Sequence, residues 1–286
     1  MAEIGPIWAE NIQKHSEIVK NAYGPLLAAA PKDKITVTRN LAYGTHPRQV
    51  FDLFQPRDAS NAPVVVFVHG GAFVRGDKCT TPEIYDNVLY WFARQGYLGI
   101  NIEYRLAPVA HYPSGADDVA LAIGWLHENV LHHRGDPARM YLVGHSAGGT
   151  HVASYAYDPT PGYLGRYATA IVLISARLRA DQSSENPNAA GVNDYFGDDL
   201  SRYESRSPLN FAACSDLPVF IVNAEYENPL LDVYGLELAH KIAVARRKSP
   251  RYLRLLRHNH MSIVAHFNTE EEVLGREILD FFRTLR

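Results

Sequence analysis

The sequence predicts an α/β protein built on a mainly parallel, doubly wound sheet. Three observations carry that expectation. Short apolar runs rich in β-branched residues recur along the chain, as in Pro63-Val-Val-Val-Phe-Val-His-Gly, the pattern of strands buried on both faces. Stretches with apolar residues at helical spacing alternate with these runs. Near the start, Ile35-Thr-Val-Thr-Arg-Asn-Leu-Ala-Tyr and Gln49-Val-Phe-Asp-Leu-Phe flank Gly44-Thr-His-Pro-Arg and read as an antiparallel pair.

In chain order, Ile7, Trp8, Ile12, Ile18, Val19, Tyr23 and Leu26 recur at roughly a helical period. Residues 1–34 are therefore expected to form a helical segment, lying over a functional site or packing on the sheet. The antiparallel pair and the run at 63–70 follow. Similar runs at 97–103, 141–144, 170–175, 218–224 and 252–256 bring the expected sheet to eight strands. Helical patterns occupy 84–94, 116–128, 150–157, 231–246 and 270–285. The α/β body then spans residues 35–286, interrupted at 177–213. That polar insertion, with Ser183-Ser-Glu-Asn-Pro-Asn and Asn193-Asp-Tyr-Phe-Gly-Asp-Asp, is long for a plain loop and suggests a small helical cap.

Composition narrows the function. Of 286 residues, 47% are hydrophobic and 21% charged, enough to bury a sizeable core. The net charge of −3 is interspersed and leaves no footprint for nucleic acid or an anionic membrane. No uncharged apolar stretch approaches the length of a membrane span, so no membrane insertion is expected. Cys79 and Cys214 lie far apart and read as free thiols of a reducing compartment. The first residues lack a basic region followed by an apolar one, so a cytoplasmic location is expected. His127 and His132 are five apart, not the spacing of a helical zinc pair, and no metal or organic cofactor is implied.

The chemistry centres on Leu142-Val-Gly-His-Ser-Ala-Gly-Gly-Thr. Gly144, Ser146 and Gly148 form G-x-S-x-G between an apolar run and a helix-compatible stretch. A sharp strand-to-helix turn there would project the Ser146 hydroxyl, with glycines where the backbone must pass close to its neighbours. The run at 63–70 ends in His69-Gly-Gly-Ala-Phe, whose small residues allow backbone N–H groups to approach an oxyanion. Gly71, Ala72 and Ala147 are the candidate donors, Ala147 because it follows the nucleophile. Tyr104-Arg-Leu-Ala-Pro and Asp117-Asp118 read as a structural ion-pair region.

These motifs, with Tyr112-Pro-Ser-Gly-Ala-Asp-Asp-Val and Gly135-Asp-Pro-Ala-Arg, resemble the hormone-sensitive-lipase-type carboxylesterases of the α/β-hydrolase fold and their arylformamidase-like relatives. The resemblance covers about residues 35 to 286. One departure is Ala72, which stands where the family has the third glycine of His-Gly-Gly-Gly. The family's order of nucleophile, acid and histidine implies a base after the last strand. His260, placed before Met261-Ser262-Ile263-Val264, looks like that base, with His258 as the competitor. The acid is expected in Asn223-Ala-Glu-Tyr-Glu-Asn-Pro-Leu-Leu-Asp232. Many family members have Asp directly before the proline, whereas this chain has Asn228. Arylformamidase-like relatives place the acid two residues before proline, which implies Glu227; Glu225 and Asp232 are the alternatives.

The resemblance thus implies a serine hydrolase cleaving small, short-chain or aryl, carboxylic esters through an acyl-enzyme on Ser146. The rival reading is an arylformamidase-type amide hydrolase. The expected partner is a small-molecule ester, with a homodimer left open. Phe73, Tyr195 and Phe196 are candidate pocket walls, for which core packing is an equal explanation.

Overall fold

The computed structural model describes residues 3–285. Eight strands form one sheet: β1 (Ile35–Ala42), β2 (Val50–Pro56), β3 (Ala62–Val68), β4 (Leu98–Ile102), β5 (Gly135–His145), β6 (Ala170–Ile174), β7 (Val219–Tyr226) and β8 (Arg251–Asn259). Their spatial order is β1-β2-β4-β3-β5-β6-β7-β8. β1–β2 and β2–β4 pair antiparallel, and every later pairing is parallel. The expected mainly parallel sheet is therefore present. β3, β5, β6 and most of β7 lie between two helical layers, which explains their unbroken apolar runs.

The helices are α1 (Ile12–Ala29), α2 (Asp86–Arg94), α3 (Ser114–Asn129), α4 (Ala147–Tyr157), α5 (Ala189–Phe196), α6 (Leu231–Arg246), α7 (Ser262–Ala265) and α8 (Val273–Arg283). One apolar core gathers α3, α4 and α6 on one face; the other gathers α1, α2 and α8 on the opposite face. Burying Val64 and Val66 in the first core and Val65 and Phe67 in the second follows directly from strand alternation. The 177–213 segment holds α5 and three short 3-10 turns.

Three boundaries differ from the sequence expectation. β5 begins at Gly135, well before the apolar run, because Ala62 pairs with Gly135 before the register breaks. At that break Pro137 has no N–H to give the ladder, and the Asp136 carboxylate accepts from Ala138 N at 2.9 Å. α4 starts at Ala147, so Gly148 and Gly149 are helical despite their low propensity. α8 starts only at Val273, leaving Glu271 free to bond His258.

Candidate active site

All the candidate groups collect at the carboxyl ends of neighbouring strands, where open α/β sheets leave a crevice. Ser146 sits between β5 and α4 with φ 55° and ψ −120°, a strained conformation for a residue with a side chain. The surrounding glycines make the turn possible. A Cβ on Gly148 would lie 2.1 Å from the Val68 carbonyl oxygen, and one on Gly144 would lie 2.6 Å from Gly149 Cα. The Ser146 N–H donates to Ile174 O at 3.0 Å, tying the turn to β6.

His260 follows β8. Its Nε2 lies 3.0 Å from Ser146 Oγ, and its Nδ1 lies 2.9 Å from Glu227 Oε2. With Nδ1–H donating to the carboxylate, Nε2 is left to accept from the serine hydroxyl. Glu227 is fixed in turn, because its Oε1 accepts from Ala224 N at 2.8 Å. The imidazole and carboxylate are both largely buried, with side-chain exposures of 10% and 4%. Tyr226 and Asn259 pair across β7 and β8, which sets the two loops side by side.

The competing residues lie elsewhere. His258, two positions back and inside β8, points away: Nδ1 is 3.1 Å from Ser262 Oγ and Nε2 is 2.8 Å from Glu271 Oε1. Glu225 accepts from Arg257 N at 2.6 Å. Asp232 lies in the first turn of α6, where the helix dipole favours an anion, and its Oδ1 accepts from Val233 N. Asn228, in the slot many family members fill with Asp, is buried and accepts from Trp8 Nε1 at 2.9 Å. A neutral amide there receives the indole N–H without placing a second buried charge beside Glu227.

The loop after β3 borders Ser146. A Cβ on Gly70 would lie 3.0 Å from Ser146 Cβ. Gly71 has φ 151°, and a Cβ there would meet Arg75 O at 1.8 Å, so the glycine is obligatory. Ala72 and Phe73 also have positive φ, at 51° and 71°. Ala147 opens α4, where the first backbone N–H groups have no acceptor within the helix. The loop is anchored from below. His69 Nε2 is 2.9 Å from Glu103 Oε1, Lys78 N donates to Glu103 Oε2 at 3.0 Å, and Arg48 pairs with the same carboxylate. Burial raises the Glu103 pKa, but the His69 bond and the nearby cations outweigh it and hold it below the ordinary value.

Two contributors escaped the sequence reading. His145, the variable residue before Ser146, is 2% exposed and donates from Nε2 to His260 O at 2.9 Å. Burial, reinforced by His260, holds its pKa well below the usual imidazole value, so it is the neutral donor this bond needs. Glu103 directly precedes the Tyr104-Arg motif; nothing in its own neighbourhood signals a bond to His69.

Phe73, Tyr195 and Phe196 are 1–2% exposed and pack with Ala147 in one aromatic cluster. Phe73 stacks on Tyr195 with centroids 4.9 Å apart. A Cβ on Gly191 of α5 would lie 2.4 Å from Ala72 O, so α5 rests directly on the glycine-rich loop. Arg105 pairs with Asp118 at 2.8 Å, the structural ion pair expected there. Cys79 and Cys214 are both free thiols.

Among the described residues, one group has metal-ligand spacing: Asp52, Cys79 and Asp86. Cations already occupy it, with Arg39 2.7 Å from Asp52 and 2.5 Å from Asp86, and Lys78 3.0 Å from Asp52. Burial and the Asp86 charge push the Cys79 thiol up to about 12, so it offers no thiolate. A cleft of about 660 Å³ lined by Lys34, Arg57, Asp58 and Arg139 opens at the far ends of the strands, away from Ser146. Among the described residues no helix is long and apolar enough to cross a membrane.

Comparison with known proteins finds similarity to esterases. A family model described as BD-FAE matches residues 51–158. Esterase LipC of Mycobacterium tuberculosis is 34% identical over 134 residues, covering 46% of this chain and 32% of that protein. Carboxylesterase NlhH of the same organism is 40% identical over 94 residues, 31% of this chain and 27% of that one. The matches thus span about a third or less of these curated relatives. Among solved structures, esterase B from Lactobacillus rhamnosis superposes over 100% of this chain and 96% of its own, with TM-score 0.77 and 19% identity. A structure described as an arylesterase gives TM-score 0.72 at 23% identity, covering 98% and 97%.

Proposed function

We propose that this chain, an α/β hydrolase by fold, is a serine hydrolase of small carboxylic esters. The observation that carries the reading is the bonded series from Ser146 Oγ through His260 to Glu227 at 3.0 and 2.9 Å. Ser146 Oγ attacks the ester carbonyl carbon while His260 Nε2 takes its proton; the carbonyl electron pair moves onto oxygen. Gly71, Ala72 and Ala147 supply the N–H groups that stabilise this oxyanion. As the carbonyl re-forms, the alkoxide leaves with the proton from His260, and an acyl-serine remains. Water, activated by His260, repeats the sequence and frees the acid. Glu227 stays ionised and holds the imidazole in the productive tautomer.

The similarity to proteins named as esterases supports the ester as substrate. The aromatic cluster of Phe73, Tyr195 and Phe196 forms a rigid wall behind Ala147 and favours short-chain or aryl acids over long lipids. The contact of α5 with the glycine-rich loop through Gly191 supports reading the 177–213 segment as a cap over this site. The N-terminal helical segment adjoins the acid loop through Trp8 and belongs to the same enclosure. Two free cysteines fit a cytoplasmic location.

A series of p-nitrophenyl esters of increasing acyl length tests the proposal. The acetate and butyrate should turn over fastest, and Ser146→Ala should remove about 10³-fold or more of kcat. Equal turnover by Ser146→Ala and wild type would overturn it. A second reading, hydrolysis of N-formyl aromatic amines, is favoured by the Glu227-Asn-Pro spacing and the Glu227–His260 bond. Efficient deformylation of N-formylkynurenine with negligible ester cleavage would put that reading first.

A further inference from the structure

Arg177, the third residue of the connection after β6, is a buried cation that the reaction scheme does not use. It is 4% exposed. Its backbone is fastened to the nucleophile's own helix: Arg177 N–H donates to Ser146 O at 3.4 Å, and Thr150 Oγ1 donates to Arg177 O at 2.6 Å. A Cβ on Gly149 would lie 2.5 Å from Ala176 Cβ, so nothing separates this connection from α4. The guanidinium reaches Asp181 at 2.6 Å through Nη1. Nη2 is buried and reaches no acceptor among the described residues. A guanidinium out of water with one carboxylate partner and an unbonded N–H is costly. Such an arrangement persists where its charge serves a purpose.

The purpose lies on the neighbouring strand. β6 and β7 pair in parallel with Ile174 opposite Val222, so Arg177 and Glu227 both lie just beyond the carboxyl ends of adjacent strands, and Arg177 is bonded through its backbone to Ser146, whose Oγ lies 3.0 Å from His260 Nε2. Burial lowers the Arg177 pKa, while Asp181, Tyr234 and Glu227 pull it back up, in that order. We propose that Arg177 is a positioning residue of the active site: a fixed buried positive charge, moderated by Asp181, that sets how readily His260 takes up a proton. This rests on the serine-hydrolase reading above. Arg177 touches no reacting atom and acts through Glu227 and His260.

The other groups facing this array are accounted for. His145 from β5 has its ring 4.9 Å from that of His260 and is held neutral by burial. Burial, then Asp181, keeps Tyr234 of α6 protonated, and burial pushes Tyr252 of β8 up to about 12, with Asp232 and Glu227 adding to it. The charged groups acting on this array include Glu227, Asp181, Asp232, Arg177, Arg179 and Arg254.

The sign of the charge supplies the test. Arg177→Met removes the cation and leaves Asp181 unpaired, which stabilises imidazolium; Asp181→Asn leaves the cation unmoderated and does the opposite. The acid limb of the kcat/KM profile for p-nitrophenyl acetate should move up by about half a pH unit in Arg177→Met, about threefold in rate on that limb, and move down in Asp181→Asn. Arg177→Lys, which keeps the charge, should restore the wild-type limb. A packing defect would not move the two variants in opposite directions. NMR titration of His260 in the same proteins should show the same opposed shifts, and it needs no turnover. If the esters are not cleaved, the functional reading fails while this titration still decides the Arg177 proposal. Unmoved or same-direction shifts in Arg177→Met and Asp181→Asn would overturn it; should Arg177→Met not fold, Asp181→Asn and Arg177→Lys decide by the same criterion.

Discussion

The turn that carries Ser146 is built from its immediate neighbours in sequence, whereas the loop that carries Glu227 is held by a residue 220 positions away from its own Asn228. In the turn, Gly144, Gly148 and Gly149 remove the side chains that would collide with each other's backbone and with β3. In the loop, Asn223 and Ala224 precede a chain reversal whose shape depends on Trp8 bonding Asn228 and on Ala224 N–H bonding Glu227. Trp8 is itself fixed, since His15 Nδ1 lies 3.0 Å from its carbonyl oxygen. Local sterics specify the turn at Ser146, and tertiary bonds specify the position of Glu227. The first kind of site is readable from five residues; the second is not.

The comparison breaks most visibly at Glu227. Glu227→Gln keeps the volume of the loop but removes the negative charge that stabilises imidazolium, and kcat should fall about 10³–10⁴-fold. Asp232→Ala, on an exposed helix turn, should stay within about twofold of wild type. Steady-state ester kinetics check both, and a larger loss for Asp232→Ala would reassign the acid.

A stability effect of intermediate size concerns the buried histidines other than His260. Burial holds His145 well below the ordinary imidazole value, His151 down to about 3 with His69 adding to it, and His266 down to about 4 with His258 adding to it. Near pH 5 His151 and His266 are neutral in the folded state, whereas the unfolded chain binds a proton on each below about pH 6.5. The unfolded state then holds more protons. Their cost is therefore absent above about pH 6.5 and grows as pH falls towards the folded values. Denaturant unfolding should show stability declining from pH 7 to pH 4.5, and His151→Phe should flatten the slope by about one proton. An unchanged slope in that variant would contradict the account.

The smallest effect sharpens the remote half of the comparison. Trp8→Phe deletes one hydrogen bond and leaves the buried Asn228 acceptor unbonded. It should cost about 1–3 kcal/mol in denaturant unfolding and lower kcat severalfold, with KM nearly unchanged. A loss of stability with kcat intact would show that the N-terminal segment supports the fold and not the acid loop.

Much of this molecule was legible before its folding was known. Apolar runs announce themselves, and six such runs together with one alternating antiparallel pair met the eight strands. His260 stood out over His258 through its likeness to a family position, although the two residues are chemically identical and two apart. Only the structure shows why they differ: one side chain faces Ser146 and the other faces Glu271. β5 was underestimated because its first residues are polar and interrupted by Pro137, and pairing through Gly135 with Ala62 leaves no apolar signature. His145 and Glu103 were missed because each works through a bond to a residue distant in sequence.

The sequence alone determined the doubly wound order of elements and the strained turn at Ser146, because both rest on short-range causes: residue volume, apolar periodicity and glycine's freedom near its neighbours. Tertiary structure decided which carboxylate meets His260, why an amide serves at position 228, and where the Arg177 charge lies. Those outcomes depend on desolvation and on hydrogen bonds between distant segments, whose strength is set only once folding has chosen what lies beside each group.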